Sequence, residues 1–543
     1  MNDTTKGAYP VAGDATAGMP ASAAGVSPAF RYFLATDGSP SFRYLPATDD
    51  DTAVMLKRIG LPSMEALFGE IPETLRLKGE LPIPPPVDEW RLTREMKAMA
   101  AENISGDDAP CFLGGGIYDH FIPSAVHHLV SRSEFWTAYT PYQAEISQGM
   151  LQATFEFQSL ITGLTGMNAA NASLYDGATA MLEGALLATR ATNRKRLLVS
   201  RGINPEYRRV LADSLQHSDL VMEDIPMESA TGKVDVIALD ALLATPAAAV
   251  IIQSPNFFGI AEEVAELAER AHRSGAQCNV SFDPVSLGLL KSPGAQGADI
   301  ATGEGQPLGI PMSFGGPGLG LFAVKSHLIR QMPGRLVGET RDTEGKRGFV
   351  LTLQAREQHI RRERAASNIC TNQALCALTA TVHLSLLGPS GLEQVARQCL
   401  DNAAYLQHRL VCAGIAKPVF NAPFFREFAV NPILPPAVMN HVLHQAGIIG
   451  GMDLSECCPD LTDINGNGAW LIAVTEKRTR EEMDHFCEVL TADAGIREAI
   501  AKVRFREDIV KAQLREACIA GTQKASHRGT LSRNSDRIGG DLS

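Results

Sequence analysis

Residues 248–284 read AAVIIQSPNFFGIAEEVAELAERAHRSGAQCNVSFDP, and this stretch decides the fold. Ala248–Gln253 and Gln277–Phe282 are short apolar runs, which predict buried strands. Glu262–Arg273 between them predicts a helix. The same alternation precedes it. Arg196–Ser200 and Leu220–Met222 predict strands, with helices over Asn204–Gln216 and Val236–Leu243. Ser147–Leu164 and Gly177–Arg190 carry longer helical periods, and Gly318–Val324 predicts another strand. Strands separated by single helices imply parallel pairing and a sheet covered on both faces. The fold class is therefore α/β, with a large parallel-sheet domain.

The pattern changes after about Leu387. Gly388–Pro389–Ser390–Gly391 punctuates the chain, and Leu392–Val411 predicts a helix. Arg426–Val430 and Trp470–Val474 then read as strands, Pro435–Ala446 and Thr479–Leu490 as helices. This is a smaller α+β lobe of about 100 residues, a usual domain size. Upstream, Ser27–Gly38 (SPAFRYFLATDG) and Ser39–Asp50 (SPSFRYLPATDD) form a tandem duplication, too short for a solenoid. Thr48 and Asp49–Asp51 are placed to cap a following helix. Pro82, Pro84, Pro85 and Pro86 make a stiff connector, and Asp88–Ala101 reads as helical. The expected organisation is a disordered tail over 1–41, a helical segment with interface loops over 42–146, the large domain over 147–387, the small one over 388–495, and a helical extension with a disordered tail over 496–543.

The 543 residues carry 49 basic and 61 acidic side chains, a net charge of −12. That charge argues against nucleic acid or an anionic membrane as partner, since both need a basic footprint. No stretch is read as approaching the ~20 apolar residues that span a bilayer. Ten cysteines are dilute and contain no C-x-x-C pair, so they are expected to be reduced, as in a cytoplasmic protein. His120, His127 and His128 read as helix-face histidines, and no metal is expected.

In a parallel sheet, ligands sit at the carboxyl ends of strands. Asn171–Thr179 (NASLYDGAT) precedes a helix whose free N–H groups are suited to a phosphate; an N-cap with a tight turn is the commoner meaning. Asp283 directly follows a buried strand, where a carboxylate can pair with a protonated pyridine nitrogen or cap a turn. Gly303–Gly320 (GEGQPLGIPMSFGGPGLG) is dense in glycine, which permits close backbone approach. Arg356, Arg361, Arg362 and Arg364 form a basic segment, read as a helix; arginine forks suit carboxylates and phosphates, but pairing with Glu357 and Glu363 within the run is the expected reading. Ser367–Asn372 reads as a further helix start.

These segments occur in the order found in pyridoxal-phosphate enzymes of fold type I, the aspartate-aminotransferase-like fold. Thr137–Gly149 (TAYTPYQAEISQG), Asn171–Ala180, Gln253–Gly259 (QSPNFFG), Asp283–Gly294 (DPVSLGLLKSPG), Gly303–Gly320, Gly345–Leu375 and Val474–Thr479 (VTEKRT) resemble the P-protein of the glycine cleavage system. The resemblance spans about Phe42 to Leu490, and the length matches the α-type subunit of the two-subunit form. It implies glycine dehydrogenase (aminomethyl-transferring) activity: glycine is decarboxylated, and its aminomethyl group passes to the lipoyl arm of the H-protein. It also implies pyridoxal phosphate held on a lysine.

One position departs from that pattern. Alignment on Ile310–Pro311 puts Gln306 where the lysine belongs, and glutamine forms no imine. Lys291, Lys325 and Lys346 are displaced from that position and read as exposed. The resemblance thus implies a subunit that completes an active site without holding the cofactor covalently. Asp283 would be a vestigial ring-nitrogen partner. The cofactor would sit on subunit 2, in an α2β2 assembly. Tyr139, Tyr142 and Glu145 are the residues expected to reach across to that site. A non-catalytic scaffold subunit, or an autonomous pyridoxal-phosphate lyase or transferase using another lysine, are the alternatives; Gln306 disfavours the last.

Overall fold

The structure is a computed structural model that describes residues 48–78, 82, 87–136, 140–461, 466–503 and 505. The duplication up to Ala47, most of the proline connector, Tyr139 and the tail beyond Phe505 lie outside the described residues. The chain divides into two compact units at Ile104/Ser105.

In the first unit, α1 (Asp49–Ile59) opens on a capping box between Thr48 and Asp51 and ends at Gly60 in the left-handed region. α2 (Glu89–Ala100) is capped by Asp88. Neither helix has a buried residue.

The second unit begins with α3 (Ser124–Val130) and α4 (Ser133–Trp136), then α5 (Gln148–Thr165). The large domain continues as β1 (Ala169–Ala170), α6 (Gly177–Thr192), β2 (Arg196–Ser200), α7 (Pro205–Leu215), β3 (Val221–Ile225), α8 (Val236–Leu243), β4 (Ala249–Ser254), α9 (Val264–Arg273), β5 (Gln277–Phe282), β6 (Ile300–Glu304) and β7 (Gly320–Val324). The strand order is β1-β7-β6-β5-β4-β2-β3. β2 to β6 pair in parallel; α7, α8 and α9 cross over between β2, β3, β4 and β5, and residues 283–299, with only 3-10 turns, between β5 and β6. β7 runs antiparallel to β6, to which the loop 305–319 returns the chain.

Strand residues alternate between two cores, the reason each run reads as continuously apolar. Leu198, Val250, Ile252 and Val280 face α5, α8 and α9. Leu197, Val199, Ala249 and Ile251 face α6 and α7. The hairpin β8 (Leu336–Arg341) and β9 (Arg347–Thr352), absent from the sequence reading, packs Val337 and Phe349 against Leu151 of α5.

The basic segment is not a regular helix. Only α10 (Gln358–Arg361) is helical; 3-10 turns flank it, and Arg362 has φ +54°. Glu357 pairs with His359 at 3.7 Å and Glu363 with Arg364 at 3.8 Å, so no arginine is paired at helical spacing here.

α11 (Ala374–Ala413) joins the lobes. It is long and apolar enough to cross a bilayer by length and composition, contrary to the sequence reading. Instead it breaks at Gly388 (φ +60°), just before Pro389. Ala377, Ala380 and Leu384 pack in the large domain, and Ala403, Leu406 and Leu410 in the small one. The small lobe adds β10 (Ala416–Pro418), β11 (Glu427–Pro432), α12 (Pro436–Gln445), β12 (Met452–Asp453), β13 (Trp470–Ala473) and α13 (Arg480–Ala492). Its antiparallel sheet has the order β10-β11-β13-β12.

Candidate functional site

β3 and β4 leave β2 in opposite directions, which makes a switch point where α/β sheets place ligands. A cleft lies there, lined by Asn204 after β2, Gln253 in β4 and Asn256 after it, Asp283 after β5 and Glu304 at the end of β6. Arg426 and Glu427 close it from the small lobe. The lobes meet tightly: a Cβ at Gly259 (φ +81°) would lie 1.7 Å from the Glu427 carbonyl oxygen, so only glycine fits.

Each polar group in this cleft is held by the chain itself. Asp283 Oδ1 accepts from the Val285 and Ser286 N–H groups at 2.8 and 3.3 Å. Its other oxygen pairs with Arg426, which is 2% exposed. The guanidinium lies 3.6 Å from the Tyr118 ring centre and also meets His120 Nε2. His120 Nδ1 is 2.7 Å from Glu476 Oε2, which accepts from Cys399 Sγ at 3.3 Å. Burial works against ionising Glu476, but the His120 charge and hydrogen bonds from His120 and the Phe121 N–H hold its carboxyl down at about 2. His120 is therefore a buried residue outside any helix that bridges Arg426 and Glu476, not the helix-face residue expected. His120, Cys399 and Glu476 bring their ligating atoms within 4.8 Å of one another. Arg426 beside them supplies the positive charge that a metal ion would bring.

Gln306, 2% exposed, accepts from the Tyr118 N–H at 3.0 Å. Its amide donates to the carbonyls of Tyr118 (3.0 Å) and Ile310 (2.8 Å). Two carboxylates serve the N-terminus of α6. Asp176 accepts from the Thr179 N–H at 2.7 Å, the N-cap expected of NASLYDGAT. Glu304 accepts from Gly177, Gln306 and Leu319 N–H groups at 2.9, 2.9 and 2.8 Å. Burial pushes the Glu304 carboxyl up to about 7, with Asp176 adding to it. Burial likewise raises Glu427 to about 7, despite bonds from the Gly115 N–H (2.7 Å) and Tyr118 hydroxyl (2.8 Å).

These residues do not fit pyridoxal phosphate. The imine position carries a satisfied glutamine, and no lysine lines the cleft among the described residues. Glu304 occupies the helix N-terminus where a phosphate would bind. Asp283 is neutralised by Arg426. The remaining space is about 40 Å³, room for roughly three waters.

The other expected site residues lie elsewhere. Tyr142 (79% exposed) and Glu145 are on the surface and do not line this cleft. Their loop is pinned at Thr140 by Arg335, and by Gln148, which bonds Ala144 O and Phe349 O at 2.7 and 2.8 Å. Sequence reasoning found Asp283 and Gln306. It did not find Arg426, His120, Glu427 or Glu476, which come from distant segments. The GEGQ segment offered a hint for Glu304, a carboxylate two residues before the glutamine.

Comparison with known proteins agrees with this architecture. Residues 42–490 match the family model for the glycine cleavage system P-protein. A probable glycine dehydrogenase (decarboxylating) subunit 1 from Moorella thermoacetica is 50% identical over 430 residues, 79% of this chain and 95% of the relative. A crystal structure of glycine decarboxylase (P-protein) of the glycine cleavage system, in inhibitor-bound form, is 42% identical with a TM-score of 0.74. It covers 84% of this chain and 99% of that one. A sphingosine-1-phosphate lyase from Burkholderia pseudomallei, 14% identical, shares the fold at a TM-score of 0.56, over 82% of this chain and 98% of that one. The fold is that of type I pyridoxal-phosphate enzymes, and the chain belongs to the glycine cleavage system P-protein family.

Proposed function

We propose that this chain is the half of a glycine-decarboxylating enzyme that completes the active site, while the second subunit holds the cofactor. Relatives about 50% identical are named as subunit 1 of glycine dehydrogenase (decarboxylating). This chain is accordingly a subunit of that enzyme and acts with a second one. Pyridoxal phosphate is the family's cofactor. The observation that carries the division of labour is Gln306, with its full set of hydrogen bonds, at the imine position. Asp283 is then a vestigial ring-nitrogen partner, now bound to Arg426. Decarboxylation of glycine and transfer of the aminomethyl group to the lipoyl arm of the H-protein belong to the partner's site, in an α2β2 assembly.

This chain's contribution is the loop over residues 139–146. Tyr142 and Glu145 face outward beside the exposed Ile146, suited to reaching a neighbouring subunit. Tyr139 is assigned the same role by position. A cytoplasmic location goes with this reading, supported by nine described cysteines that are all free.

Reconstitution of the two-subunit complex tests the proposal. The chain alone shows no visible absorbance of a cofactor–lysine imine, and glycine–carbon dioxide exchange arises only on mixing. Tyr142→Phe and Glu145→Gln each lower exchange at least tenfold with assembly intact. Unchanged exchange in both variants refutes the cross-interface role and leaves a scaffold. An imine on a lysine of this chain refutes the division of labour.

A further inference from the structure

The cleft occupies one end of α6; the other end carries a second feature. Arg190 lies thirteen residues beyond Gly177, about 20 Å along the helix at a rise of ~1.5 Å per residue. There it joins Arg330, Arg356, Arg361 and Arg364 around a groove of about 350 Å³. No carboxylate lines this groove among the described residues, in a chain whose net charge is −12. Its size falls within the range of small-molecule pockets.

The charge is only partly compensated, because the arginines are anchored mainly by neutral groups. Arg190 donates to Gln331 O at 3.4 Å. Arg356 donates to the carbonyls of Met332, Gly334 (3.0 Å) and Leu353 (3.0 Å). Arg361 Nε donates to Ala355 O at 3.0 Å. Such bonds orient a guanidinium without cancelling its charge. The neighbouring carboxylates make no ion pair with these arginines: Glu183 accepts from Ser367 at 2.8 Å and Glu357 pairs with His359, while the other oxygen of each has no hydrogen-bond partner. Among the described residues, only Arg364 of this set has an acidic partner at ion-pair distance, Glu363 at 3.8 Å, and both are exposed. Desolvation lowers the pKa of the half-buried Arg356, with Glu357 only partly offsetting it, so an entering anion would restore what burial removes.

A purely structural role accounts for part of this set. A cation near a helix C-terminus meets the dipole favourably, and Arg356 ties two loops together. Neither explains why Arg330, Arg361 and Arg364 converge on the same groove. We propose that this groove binds a small phosphate-bearing anion, held by guanidinium forks preset on backbone carbonyls. Planar forks match phosphate oxygens two at a time.

Calorimetric titration with inorganic pyrophosphate tests this, at ~0.15 M salt so that diffuse attraction is screened. The full chain and the two-subunit complex are both titrated. Saturable binding at one site per chain is expected in both. The double variant Arg361→Gln/Arg364→Gln should bind at least tenfold more weakly with an unchanged melting temperature, since both side chains are exposed. Tighter binding of ADP than of pyrophosphate identifies a nucleotide ligand, and the reverse a free polyphosphate; either supports the site. No saturable binding, or equal binding by the variant, overturns the proposal. Binding to the free chain that vanishes in the complex also overturns it, because the second subunit then fills the groove.

Discussion

The two ends of α6 differ in how charge is balanced. At its N-terminus, Asp176 and Glu304 take up the free N–H groups, and the cleft beyond is closed by Gln306 and the Asp283–Arg426 pair. Near its C-terminus, five arginines surround open space with no carboxylate in the lining. The first region has the position of a ligand site, but its own side chains fill it. The second has no place in the family's fold logic, yet its charges remain available. Position in a fold suggests where to look; the account of donors, acceptors and charges decides what a region can do.

The most severe way to break the comparison is to remove Arg426. Arg426→Met strands Asp283 and removes the contact with His120, which should cost about 3–5 kcal/mol because a buried pair is left half-made. Denaturant unfolding measures it; a loss below 1 kcal/mol would mean that water reaches the cleft.

The pH dependence comes next. Glu304 and Glu427 have folded values near 7, above the ordinary 4.5. Their stabilising contribution is present below about 4.5 and is lost as pH rises through 7, on the order of 1–3 kcal/mol each. Glu476 works in the opposite sense: its folded value near 2 gives stability above 4.5 that is lost as pH falls toward 2. The melting temperature should therefore fall between pH 5.5 and 8, and Glu427→Gln should flatten that fall. A level profile over this range in the parent chain would contradict the burial of these carboxyls.

The smallest effect sharpens the other end. Arg364→Gln should change unfolding free energy by no more than about 0.5 kcal/mol, because its pairing is exposed and screened. A large loss would make the arginines structural.

Much of the fold was legible because burial on both faces leaves its mark in each strand. Ala248–Gln253 and Gln277–Phe282 need no distant partner to be read. β8 and β9 were missed because exposed charges, Glu339, Arg341 and Arg347, interrupt the apolar run at the hairpin end of both strands. The basic segment misled because spacing alone cannot show that Arg362 leaves the helical region. Of the site, Asp283 could be found by its place after a strand, and Gln306 by the resemblance that aligns it with the family's lysine. Arg426 and Glu476 could not, since their partners Asp283 and His120 lie 143 and 356 residues away.

The sequence by itself determined the α/β class, the α+β character of the second lobe and the absence of an imine-forming lysine at position 306. The first two follow from local periodicity, the last from the resemblance that aligns Gln306 with the family's lysine. Only the tertiary structure decided that Glu304 occupies the helix N-terminus, that Arg426 neutralises Asp283, and that Arg190 and Arg330 join the basic segment around one groove. Those outcomes depend on which charges meet after folding, and electrostatic balance depends on distance in space rather than along the chain.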